Sequence, residues 1–75
     1  MKVLDRANVS QFMVYVLREF AKEKRLQIPV AYEYLAKYKG INFLETNYGY
    51  EHTLGILEII EDITEVCKKH GGNIA

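Results

Sequence analysis

Ile56, Ile59, Ile60, Ile63, Val66 and Cys67 recur at three- and four-residue spacing, with Glu58, Glu61, Asp62 and Glu65 between them. Isoleucine and valine favour strands. Their period is nevertheless 3.6, held over more than three turns, and only a helix gathers such a pattern onto one apolar face. The spacing predicts a helix over residues 53–69, with Leu57 beside its stripe and Thr53 as its N-cap. Lys68, Lys69 and His70 fall at its C-terminal end, where cations complement the helix dipole, and Gly71-Gly72 stop it.

The same period marks a first helix. Val9, Phe12, Met13, Val16, Leu17, Phe20 and Ala21 form its stripe, and Asn8 with Gln11 has the spacing of a capping box. It should fade near Lys24 or Arg25. Pro29 suits the first position of a second helix over residues 29–39, and it pushes Ile28 toward an extended conformation. Ala31, Tyr34, Leu35 and Tyr38 form that helix's stripe. Gly40 then reads as its C′ residue, with Ile41 folding back onto Leu35 or Ala36. Asn42 with Glu45 predicts another capping box and a short helix over residues 43–48, ended by Gly49 at positive φ. Residues 1–7 read as a lead-in and 71–75 as a flexible tail. The fold class is all-α: one domain over residues 1–75, a small bundle of three main helices plus one short helix.

Seventy-five residues make a core that is only just sufficient. An apolar face that three short helices fail to cover would be covered by a second copy, as a homodimer. Ten basic and ten acidic residues cancel, so no global charge draws the chain to nucleic acid. The halves differ. Residues 1–40 hold eight Lys/Arg and four Asp/Glu, and residues 41–75 hold two and six. The bland reading is a folded dipole, and the functional one is two patches for different partners. Cys67, the single cysteine, cannot form an internal disulfide; on an apolar stripe it reads as a buried, inert thiol. A lone cysteine, with no long apolar run, predicts a cytoplasmic protein with no membrane partner.

Chemistry finds little footing. No HExxH, paired CxxC, EF-hand loop or phosphate-cradling glycine loop occurs, so neither a metal nor a cofactor is expected, and no residue is assigned a catalytic role. His52 lies beside Glu51, Thr53, Tyr48 and Tyr50, but a general base also needs a nucleophile, an orienting group and a pocket. The chain reads as non-enzymatic. Six tyrosines carry more information. Tyr34 and Tyr38 sit on the second helix's stripe and belong to the core. Tyr32 lies off it, and Tyr48 and Tyr50 flank a glycine. An apolar ring with a polar tip suits binding surfaces, so Tyr32, Tyr48, Tyr50 and His52 are the partner-binding candidates. The alternative is a DNA-binding or autoregulatory protein using the basic surface of the first two helices. Against it, Pro29-Val30-Ala31-Tyr32 offers almost no base-reading groups, and the basic residues lie toward helix C-termini, where the dipole opposes phosphate.

The run FMVYVLREFAKEK, followed by VAYEYLAKYKGINFLETNYGYEHTLGILEIIEDITEV, resembles a short bacterial all-helical family catalogued as domain of unknown function 3791. Four segments carry the resemblance: Phe12 to Phe20, Ala31 to Ile41, Tyr48 to Thr53, and Ile56 to Val66. Members usually start the second helix with Ser-Gly; here Gln27-Ile28-Pro29 stands instead. The resemblance carries no activity over to these residues. Members are often encoded beside an ADP-ribosyltransferase-like protein. The resemblance therefore implies a protein-interaction module, an antitoxin-like or accessory partner of an ADP-ribosyltransferase-like toxin.

Overall fold

The computed structural model describes residues 6–73. These form five helices and no strand: α1 (Arg6–Lys24), α2 (Ile28–Lys37), α3 (Gly40–Thr46), α4 (Tyr48–Glu51) and α5 (Ile56–Lys69). The class is all-α. α5 packs on α1 and α3, and α2 packs on the same two helices.

The core draws on the predicted stripes of α1, α2 and α5, without Val9 and Val66 and with Leu44 of α3 added. Val16, Phe20 and Ala21 of α1, Ala31 and Leu35 of α2, Leu44 of α3, and Ile59, Ile60, Ile63 and Cys67 of α5 are buried together. Tyr34 stacks on Phe20 with ring centroids 6.0 Å apart, and Tyr38 lies 5.1 Å from Tyr34. Both tyrosines therefore complete the core's edge, as their place on the stripe requires. Burial pushes the Cys67 thiol above its ordinary pKa, although a backbone contact from Gly40 and the Tyr34 hydroxyl partly offset this. The thiol is thus buried and protonated, which makes it a poor nucleophile.

Helix ends depart from expectation in consistent ways. Asn8 lies inside α1, and Arg6 and Ala7 are already helical, so the cap at Asn8 is not formed. Once a helix is nucleated, each added residue gains a hydrogen bond, and nothing in this segment blocks extension. The remaining lead-in, residues 1–5, lies outside the described residues. α1 closes with Arg25 at φ 58, its N–H bonded to the Lys22 carbonyl (3.2 Å) and the Leu26 N–H to Ala21 (2.8 Å). That pair of bonds is the Schellman pattern. α2 begins one residue early: Gln27, not Ile28, is the extended residue before the helix.

The residue in left-handed conformation after α2 is Lys39 (φ 74), not Gly40. Gly40 instead opens α3 and is buried. A Cβ there would stand 2.8 Å from Leu35 Cδ2 and 3.1 Å from Cys67 Sγ, so glycine is required by close approach. α3 starts with no side-chain cap, and Asn42 lies within it, so the box with Glu45 is absent. Gly49 has ordinary φ and sits inside α4. The break between α3 and α4 falls at Asn47, whose side-chain N–H donates to the Phe43 carbonyl at 3.0 Å.

α5 begins at Ile56, not Thr53. Gly55 precedes it in extended conformation, and Glu58 Oε1 accepts the Gly55 N–H at 3.2 Å. The Thr53 hydroxyl turns back to donate to the Tyr50 carbonyl at 2.6 Å, so it seals α4 rather than capping α5. At the far end Gly71 takes φ 94, Gly72 N–H bonds to Cys67 (2.8 Å) and Gly71 N–H to Lys68 (3.1 Å). Gly72 is buried, and its carbonyl accepts the Tyr34 hydroxyl at 3.1 Å. Gly72 thus belongs to the packed body where a tail was expected, while Gly71 stays exposed; residues 74 and 75 lie outside the described residues.

Candidate interaction site

Three of the four residues singled out from sequence share α4 and its C-cap. Tyr48 and His52 stack with ring centroids 4.6 Å apart and planes at 11°. On its other side Tyr48 meets Phe12 of α1 edge-on at 5.2 Å. Tyr48 is therefore half-buried and pins α4 to α1. His52 Nδ1 lies 2.8 Å from the Tyr48 carbonyl. A carbonyl only accepts, so Nδ1 carries the proton and, in the neutral ring, Nε2 is the acceptor that remains. His52 is exposed, and so is Tyr50, at 66%. Tyr50 is an aromatic side chain held on a helical turn with most of its surface in water.

Tyr32 is not part of this group. It is half-exposed on α2, whose main partners are α1 and α3, whereas α4 rests on α3. It belongs with Ile28 and Val30, two other exposed apolar residues at the start of the same helix.

Beneath Tyr50 lies a residue that sequence reasoning missed. Glu51 is 1% exposed and is the buried residue of α4. Its Oε1 has no hydrogen-bond partner. Burial, then a side-chain hydrogen bond and repulsion from Asp62 of α5, pushes its carboxyl up to about 7. The two carboxyls border a cleft of about 470 Å³ between α3, α4 and α5, walled by Phe43, Asn47, Tyr50 and Val66, with Glu65 at its side. A signal for Glu51 did exist. Carrying the helical period from Gly40 through Leu44 and Asn47 lands on Glu51, which puts an acid on the buried face.

No three His, Cys, Asp or Glu side chains converge on a metal position among the described residues. The acidic face of α5 and the basic face of α1 are not zipped together: the ion pair found among the described residues, Glu19–Lys22 at 4.0 Å, lies within α1. No described helix is long and apolar enough to cross a membrane.

No curated protein and no solved structure matches the chain. A family model does, over residues 11–70, a span that takes in all four helices from α2 onward, most of α1, and the whole of the α4 site. The chain belongs to the family described as Protein of unknown function (DUF3791).

Proposed function

We propose that this protein is a protein-interaction module whose docking surface is centred on α4. The observation that carries this reading is Tyr50: a large ring, two-thirds in water, held on a one-turn helix beside a stacked Tyr48–His52 pair. Tyrosine in such a setting contributes wide contact area at small entropic cost. Tyr48 acts from below, through its contact with Phe12, by fixing the direction in which α4 points. His52 offers Nε2 at the rim. Tyr32 would serve a second edge of the surface or a separate contact. In this reading the fold is a small bundle in which α1, α2 and α5 supply the frame, and the short α3 and α4 present the site in the cytoplasm. The partner class suggested by the family resemblance is an ADP-ribosyltransferase-like toxin, which the module would bind and neutralise.

The test is co-expression with such a protein from the adjacent gene. A complex that co-purifies, and relief of any growth arrest, are expected. Tyr50→Ala should weaken the complex by tenfold or more, since a central aromatic anchor contributes about 2 kcal/mol. Absence of a complex and of relief would refute the proposed partner. Binding unaffected by Tyr50→Ala would move the surface elsewhere, with Tyr32 the next substitution.

A further inference from the structure

We propose that Glu51 and Asp62 form a proton-locked joint: a proton held by Glu51 keeps α4 seated against α5, and its loss releases α4 from the body. Apart from the contact of Tyr48 with Phe12, little else holds α4. It is a single turn of four residues, and Glu51 is its buried residue. Its backbone bonds are local, running from Tyr50 and Glu51 N–H to the Asn47 carbonyl and from His52 N–H to Tyr48. Such segments open at low free energy unless side chains anchor them.

The anchor is an acid placed where its charged form is poorly accommodated. An ionised carboxylate that is fully buried needs donors or a countercharge. Glu51 Oε1 has no donor. From α5 the cleft presents Asp62 and Glu65, both acidic. From the α3 side it presents Phe43 and Asn47, and the Asn47 amide is already bonded to the Phe43 carbonyl. From α4 itself it presents Tyr50. No lysine, arginine or histidine lines the cleft. A proton is therefore the one counter-charge the site itself provides for. The protonated carboxyl supplies an O–H that Asp62 can accept, while the ionised one faces a second carboxyl across the cleft. The upward shift of Glu51 agrees with this geometry. Loss of the proton can be relieved by swinging Glu51 into water, and because a four-residue turn tied otherwise by Tyr48 is short, its Glu51 end moves with it. The joint operates in the isolated protein and needs no partner.

The experiment is amide hydrogen exchange followed by NMR on the whole chain, from about pH 5 to about pH 9, corrected for intrinsic exchange chemistry. Protection of the Tyr50, Glu51 and His52 amides should fall roughly tenfold or more relative to α5 core amides, with a midpoint near pH 7. Glu51→Gln keeps shape and a donor but cannot ionise, so its α4 should stay protected throughout. Asp62→Asn should move the midpoint to lower pH. This second variant retains the test if Glu51→Gln does not fold. Constant protection in the wild type would overturn the proposal. So would a step that survives in Glu51→Gln, because it would then not come from the Glu51 carboxyl.

Discussion

Alanine at Gly40 and alanine at Gly49 should change stability in opposite directions. The two glycines lie nine residues apart at the start of α3 and inside α4, and neither has positive φ. Backbone freedom alone would make each substitution stabilising by about 0.4–1 kcal/mol, through the unfolded chain. At Gly49 an added Cβ meets nothing within 4 Å, so that gain should appear in full. At Gly40 the Cβ would meet Leu35 Cδ2 at 2.8 Å and Cys67 Sγ at 3.1 Å. Both side chains are fully buried and have no solvent to retreat into. Overpacking of this kind costs about 1–3 kcal/mol. The net for Gly40→Ala is a loss of roughly 1–2 kcal/mol, which for a domain of this size lowers Tm by roughly 4–16 °C. Urea and thermal unfolding followed by circular dichroism would measure both variants against the parent. Adding Leu35→Val, which removes the nearest methyl, should make the double variant more stable than additivity allows. A Gly40→Ala protein as stable as Gly49→Ala would refute the close approach of α3 to α2 and α5.

Two further outcomes follow from the same structure. Lys39→Gly should raise the urea midpoint, because the left-handed conformation costs a lysine about 1–2 kcal/mol and glycine's added chain entropy cancels only part of that; a lowered midpoint would contradict the αL closure of α2. Stability should also fall as pH rises from about 4.5 to about 7 and level off above it, because Glu51 binds its proton more tightly in the folded state than in the unfolded one. A shift of that size corresponds to about 3 kcal/mol at full ionisation. Chemical unfolding across that range should show the slope in the parent and lose most of it in Glu51→Gln; a parent curve with no slope would refute the placement of Glu51.

The parts legible in sequence were those written in many residues at once. The stripes of α1, α2 and α5 each rest on several apolar side chains, and no single misplacement could disguise their period. Cys67, Tyr34 and Tyr38 followed from the stripes they occupy. Helix ends were written in one or two residues and proved ambiguous. Asn8, Asn42 and Thr53 all have the chemistry of caps. Asn8 and Asn42 lie within helices, and Thr53 closes the helix before it instead. Gly40 was correctly marked as special but for the wrong reason, since close packing and positive φ both call for glycine and a sequence does not separate them. Tyr48, Tyr50 and His52 were placed together because they are neighbours in the chain. Glu51 sits among them and continues the buried period of α3, but Asp62 lies eleven residues on in α5, and only the folded arrangement brings the two carboxyls together.

The hydrogen bond from Tyr34 to the Gly72 carbonyl joins residues 38 positions apart. Translation runs from the N-terminus, so Tyr34 is made before the group that fastens it. Until Gly72 has been synthesised, Tyr34 has no such acceptor, and the Tyr38 ring lacks the glycine it rests on. The edge of α2 that carries Tyr34 and Tyr38 is therefore closed by the last described turn of the chain. Removing Gly72 would leave that edge uncovered in an otherwise complete bundle.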